Sequence, residues 1–260
     1  MTAISPWFRI REYIRYRRQA KTRYGLHSPF VYALTDKCLY DKKKYPAYKS
    51  LKAYRKNLWR NPSYIHLRPA GAGSSYFTSY RRKVKDLLRV SSSGYKEMKL
   101  WYRLARYFEA RNILELGTHI GVSTYAWSLG TKGKVTSVEG DAALAEFARE
   151  QLAKFDVRNA DIVHASFDEF LDTASGTYDI IFLDGDHSYE RTLHYLRRLK
   201  PLMHDDTLLI IHDIHWSPGM RKAWYEIIRD PDLHVTIDLF CCGLVFKRPG
   251  QHKEHFVVKF

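Results

Sequence analysis

The chain has 260 residues, 45% of them hydrophobic and 15% aromatic, enough to bury a sizeable core in one large or two small domains, which excludes a disordered or fibrous protein. Its 43 Lys plus Arg against 28 Asp plus Glu leave +15, a surplus that suits an anionic partner such as nucleic acid or a membrane surface. Three cysteines, Cys38, Cys241 and Cys242, with no CxxC spacing, exclude a disulfide framework and a zinc ribbon. No apolar run reaches the roughly 18 residues of a membrane span, and charge interrupts the first twenty positions too often for a secretory core, so a cytoplasmic location is expected.

Charge is unevenly distributed. Residues 1–110 hold 26 Lys plus Arg against 6 Asp plus Glu, whereas residues 111–260 hold 17 against 22. The basic part reads as helices over 6–20, 28–40 after HSPF, 47–59 and 96–109, with turns at Asn61-Pro62 and PAGAGSS. In the first helix Trp7, Ile10 and Ile14 share a helical spacing, with Arg9, Arg11, Arg15, Arg17 and Arg18 interleaved. The ordinary expectation packs that apolar stripe on the protein itself. The alternative lays it on an anionic membrane, peripheral to the inner face. A boundary near Ser91 to Gly94 divides the chain into a basic helical extension or lid, 1–92, and a second domain, 93–260.

From residue 112 short apolar runs alternate with amphipathic segments: NILEL, VSTYAWSL, KVTSVE, AALAEFAREQLAKF, DIVHA, YDIIFLD and TLLIIHD. That rhythm predicts an α/β fold with a mostly parallel sheet covered on both faces. VTIDLF and GLVFKR, joined through Cys241-Cys242, predict a closing antiparallel hairpin, and HFVVKF a possible further strand.

In an open α/β sheet ligands lie beyond the carboxyl ends of the strands, so the residues following each apolar run carry the chemistry. The first junction, Glu115-Leu116-Gly117-Thr118-His119-Ile120-Gly121, is not a GxGxxG diphosphate turn; its acid suits a ligand bearing an ammonium group. Glu139, ending the next run, is placed to accept from a ribose diol, and Ser166-Phe167 offers a polar and aromatic edge for a purine or an ordinary helix cap. Asp184-Gly185-Asp186-His187 and His212-Asp213-Ile214-His215 gather three Asp and three His at two strand ends, an arrangement for general-base work or a divalent cation.

These residues resemble the class I S-adenosylmethionine-dependent methyltransferases over about 95–260: ELGTHIGVST resembles the first motif, VEGD the ribose-binding acid, IFLDGDHSYE the strand-four motif and LLIIHDIHW strand five. GLHSPFVY and PAGAGSS with the tail are similar to a bacterial O-methyltransferase-like subgroup carrying a helical N-terminal extension. The resemblance implies a Rossmann-like fold of seven strands and S-adenosylmethionine (SAM) as cofactor. It implies that Glu115, Gly117, Thr118, Gly121 and Ser123 surround the methionine part, Glu139 the ribose, and Ser166 with Phe167 the adenine, with Asp184 also at the cofactor. Catechol- and caffeoyl-type O-methyltransferases place a metal-binding Asp, a Lys three residues on, and an acid-amide pair after strand five. By position Asp184 would be the first ligand of a cation such as magnesium, His187 would stand for the Lys, and His212 and Asp213 for the pair. The two histidines depart from that pattern: an unperturbed His, with a pKa of about 6.5, accepts a proton near neutral pH, whereas magnesium favours oxygen.

Three readings follow. The first is O-methylation of a small molecule, glycan or lipid head group by in-line transfer, with His187 and Asp184 catalytic. The second is an RNA methyltransferase whose basic half tracks phosphates while Tyr54, Tyr64, Tyr76 and Tyr80 stack on bases. The third is a binding module that has kept the fold without catalysis. The composition leaves the acceptor and the oligomeric state open, a homodimer included.

Overall fold

A computed structural model of the chain describes residues 6–67, 80–90 and 92–260. Tyr76 and the PAGAGSS segment lie outside the described residues. In chain order the elements are α1 (Pro6–Gln19), α2 (Pro29–Leu34), α3 (Ala47–Arg60), β1 (Tyr64–His66), β2 (Arg81–Lys83), α4 (Val84–Val90), α5 (Tyr95–Tyr107), β3 (Asn112–Leu116), α6 (Val122–Gly130), β4 (Lys134–Glu139), α7 (Ala142–Lys154), β5 (Ala160–His164) and α8 (Phe167–Thr173). Then follow β6 (Tyr178–Leu183), α9 (Tyr189–Leu199), β7 (Met203–His212), α10 (Pro218–Arg229), β8 (Val235–Asp238), β9 (Cys242–Phe246) and β10 (Glu254–Val257). The four basic-region helices expected from periodicity are present, the second because Ser28 caps it, Pro29 opens it, and a π-helical turn over Thr35–Leu39 prolongs it. The short α4, β1 and β2 were not expected; each is too brief to show a period.

The chain forms two compact units, Met1–Asp41 with Ala174–Phe260, and Lys42–Thr173. This replaces the expected division at residue 92. The physical reason is packing: α5 and α3 lie on α6 within the Lys42–Thr173 unit, whereas Lys21 bridges to Val258 within the other, so the basic extension does not form one body.

In the Lys42–Thr173 unit β3, β4 and β5 pair in parallel, with Leu116 opposite Val138 and Glu139 opposite His164. Ile113, Leu114 and Leu116 are completely buried, which is why this strand reads as an apolar run. Trp101 of α5 packs on Trp127 of α6 at 5.4 Å between centroids, and Tyr54 of α3 stacks on Tyr125 at 4.3 Å and 14°. Tyr54 is therefore core and unavailable for base stacking, a correction to its expected RNA role; Tyr64 and Tyr80 are exposed.

In the other unit the strands run in the order β10-β8-β9-β7-β6. β6 and β7 are parallel, β9 is antiparallel to both β7 and β8, and β10 adds in parallel to β8. The closing hairpin is as expected, and β10 brings the strands of the two units' larger sheets to eight instead of seven, because Val235–Asp238 offers a second backbone edge to the tail.

The N-terminal helix reverses its expectation. Its polar side is buried: Glu12 is 0% exposed, held by Arg221 Nη1 at 2.6 Å and Arg15 Nη1 at 3.2 Å. Tyr16 donates to Val258 O at 2.6 Å and accepts from Phe260 N at 3.0 Å. Trp7, Ile10 and Ile14 are 77%, 48% and 48% exposed. Pairing a buried carboxylate with an arginine from α10 fixes the rotation of α1 and leaves its apolar stripe outside.

Candidate active site

The turn after β3 is built by backbone bonds. Gly117 N and Thr118 N both donate to Val138 O, at 3.0 and 3.2 Å, and Gly121 N donates to Thr118 O at 2.9 Å. Positive φ at Gly117 (+113°), His119 (+51°) and Gly121 (+76°) winds this segment into the start of α6, a path that glycine follows without Cβ strain. Gly121 has a second reason to be glycine: a Cβ there would lie 2.9 Å from Tyr54 Oη.

Three residues expected at the cofactor's methionine part turn inward. Glu115 is 0% exposed, and its Oε2 accepts from Thr124 Oγ1 at 2.5 Å and Ser137 Oγ at 2.6 Å. Thr118 Oγ1 bonds to Ser137 Oγ at 2.6 Å, and Ser123 is buried in the first turn of α6. Glu115 and Thr118 thus tie β3, β4 and α6 together and hold the turn's shape. Gly117, at that turn, remains partly exposed.

Glu139 ends β4, with Oε2 accepting from His119 N at 2.7 Å and Oε1 from Asp141 N at 2.9 Å. Burial pushes its carboxyl above the usual range, against the opposing effect of those N–H donors. As a carboxylate the group only accepts, the role a ribose diol would require of it. Ser166 and Phe167 open α8: Ser166 N and Oγ donate to Glu169 Oε2 at 2.8 and 2.7 Å, and Glu169 N donates back at 3.2 Å. This is a reciprocal helix cap, the alternative the sequence left open for Ser166. Phe167 beside it is partly exposed. The glycine turn, Glu139 and Phe167 lie at or just beyond the ends of β3, β4 and β5 and offer a close backbone approach, a carboxylate acceptor and an aromatic edge.

The acid and histidine residues belong to the other unit, where four of the six converge. His212 Nδ1 lies 3.0 Å from Asp184 Oδ1, and His187 Nε2 lies 3.5 Å from Asp184 Oδ1 and 3.9 Å from Asp213 Oδ2. Consecutive strand residues face opposite ways, yet His212 Nδ1 is 3.8 Å from Asp213 Oδ2. The reason is that β7 stops at His212, Asp213 takes φ +55°, and its N donates to Cys241 O at 2.8 Å. The remaining two turn away. Asp186 accepts from Tyr195 Oη at 2.8 Å and faces Arg191, while His215 bonds Asp238 at 2.7 Å and stacks on Phe240.

Asp184, His212 and Asp213 were also expected as metal ligands. They meet, but His212 directs Nδ1 at Asp184 within hydrogen-bonding distance, and among the described residues no group of three or more His, Cys, Asp or Glu is arranged to hold a metal ion. Magnesium requires near-octahedral oxygen ligation, which this set does not fit. Sequence reasoning gave no site role to Thr124, Ser137, the His119 backbone N–H or Asp238, and read Tyr54 as a base-stacking residue. Only Ser137 and Thr124 left a trace, as hydroxyls inside apolar runs.

Residues 114–214 match the family described as Methyltransferase domain. Probable cobalt-precorrin-6B C(15)-methyltransferases (decarboxylating) of Sulfurisphaera tokodaii and Sulfolobus acidocaldarius are 31% and 33% identical over 91 residues, 34% of this chain. The chain spans about half the length, 47%, of these curated relatives. An SAH-bound methyltransferase of Podospora anserina shares the fold with a TM-score of 0.61 at 15% identity, over 85% of this chain and 96% of that one. An O-methyltransferase of Streptomyces achromogenes involved in tomaymycin synthesis, solved in complex with SAM, has a TM-score of 0.55 at 16% identity, over 79% and 91%. Residues 114–214 thus match a methyltransferase domain model, and the solved structures share the Rossmann-like fold of the chain.

Proposed function

We propose that the protein transfers the methyl group of SAM to an oxygen of a small molecule, glycan or lipid head group, with His187 as the proton acceptor. The observation carrying this reading is the convergence of Asp184, His187, His212 and Asp213 at the ends of β6 and β7. When bound, SAM supplies an electrophilic methyl on a sulfonium. Glu139 and the Gly117–Gly121 turn hold and orient it. Asp184 and Asp213 beside His187 Nε2 favour the tautomer protonated there, which leaves Nδ1 to take the hydroxyl proton of the acceptor. The reaction would convert SAM to S-adenosylhomocysteine (SAH) and the acceptor hydroxyl to its methyl ether, with the hydroxyl proton taken up at His187 Nδ1. His212 is a positioning residue that fixes Asp184. The curated relatives named above are C-methyltransferases, so oxygen as acceptor rests on the histidine-carboxylate cluster and the fold likeness to O-methyltransferases.

The test incubates the protein with methyl-labelled SAM and a fractionated cell extract, with and without chelator. Label in a lipid, glycan or small-molecule fraction, stable to chelator, supports the reading; label in nuclease-sensitive RNA overturns it. On the identified acceptor, His187→Ala should lower turnover by about 10²–10⁴-fold with SAH affinity unchanged. Unchanged turnover removes His187 from the role.

A further inference from the structure

We infer that the outer face of α1 is an interfacial anchor that docks this protein on an anionic membrane surface. Trp7, Ile10 and Ile14 stand at i, i+3 and i+7, and all three are exposed, Trp7 at 77%. Arg11 and Arg18, four and eleven residues after Trp7, share that face, and Arg17 flanks it beside Ile10 and Ile14. Glu12, the one acid of the helix, is fully buried, so the exposed face presents large apolar groups and arginines with no carboxylate among them. Arg11, Ile14, Arg15, Arg18 and Gln19 line a groove on this face, where Arg15 is already bonded to Glu12.

The buried side explains why this face is permanent. Glu12 is held by Arg221, and Tyr16 is bonded to both Val258 O and Phe260 N, so α1 cannot rotate to cover its stripe without breaking three long-range bonds. A bilayer interface accounts for both halves of the pattern: Trp and Ile enter the acyl boundary while the arginine stems follow them and their heads stay at the phosphates. RNA phosphates would account for the arginines and leave Trp7, Ile10 and Ile14 in water. A second copy packed through this face would gather the arginines of both copies in one interface with no carboxylate on that face to pair them.

The test is co-sedimentation of the full chain with vesicles of phosphatidylcholine containing about one third phosphatidylglycerol, against pure phosphatidylcholine and a single-stranded RNA oligomer. The expected result is salt-sensitive binding to the anionic vesicles only. Trp7→Ser/Ile10→Ser/Ile14→Ser and, separately, Arg11→Glu/Arg18→Glu should each weaken it by about tenfold or more. Both variants change exposed positions, so their unfolding midpoints should match the parent, which separates lost docking from lost fold. No vesicle binding by the parent, binding that survives the triple substitution, or a parent dimer that the triple substitution splits without any vesicle binding would each overturn the inference.

Discussion

Gly121→Ala tests whether the Gly117–Gly121 turn is fixed by the packing of α3 beneath it. The native φ of +76° costs an L-residue about 1–2 kcal/mol, and the new methyl would sit 2.9 Å from Tyr54 Oη, 3.5 Å from Ala148 Cβ and 3.7 Å from Leu152 Cγ. Tyr54 cannot step aside cheaply: it is 0% exposed, stacked on Tyr125, and donates to Ile120 O at 3.2 Å. Burial also pushes its hydroxyl above the ordinary phenol range, so it stays a donor. Displacing it adds about 1–3 kcal/mol of overpacking and lost hydrogen bond, for a total of about 3 kcal/mol. Tyr54→Phe alone should cost about 1 kcal/mol, and Gly121→Ala in that background only the backbone strain, a coupling of about 1–2 kcal/mol. Urea unfolding of the four proteins measures the cycle, and titration calorimetry with SAH reads the turn itself. A Gly121→Ala cost below about 0.5 kcal/mol, or the same cost in both backgrounds, would refute the packing argument.

Two pH predictions follow from burial. Glu139 has its carboxyl raised by burial, so SAH affinity should begin to fall on acidification above the ordinary carboxylate range of about 4.3, and Glu139→Gln should flatten that profile; coincident profiles would remove Glu139 from the ribose. The same raised value means that the ionised form is penalised in the fold, so stability declines as pH rises from the unfolded carboxyl range through the folded one. His255 is shifted the opposite way: burial lowers its folded pKa while Asp238 opposes the shift. The unfolded state then binds the proton more tightly, and stability should be lost as pH falls from about 6.5 toward the folded value. His255→Gln should reduce that slope in urea midpoints measured across the range, and an unchanged slope would show that His255 carries none of it.

The alternation of apolar runs with amphipathic segments was sufficient to specify the α/β class, because buried parallel strands and covering helices must each show their own period. The strand-end residues were legible for the same reason: Glu139, Asp184, His187, His212 and Asp213 follow apolar runs, where a chain leaving a sheet exposes its side chains. Sequence could not say which of them meet. Asp184, His187, His212 and Asp213 converge because Asp213 adopts positive φ and Cys241 O holds its N–H, whereas Asp186 and His215 are drawn off by Tyr195 and Asp238, partners chosen across the fold. Glu115 and Thr118 read as ligand contacts and became buried braces, since hydroxyls on α6 and β4 lie where only the assembled sheet can bring them. The helical period of α1 was plain from Trp7, Ile10 and Ile14, but which side faces water was decided by an ion pair 209 residues apart in sequence, Glu12 with Arg221. Local spacing sets the elements, while rotation, burial and partner choice depend on contacts distant in sequence, and those exist only in the tertiary structure.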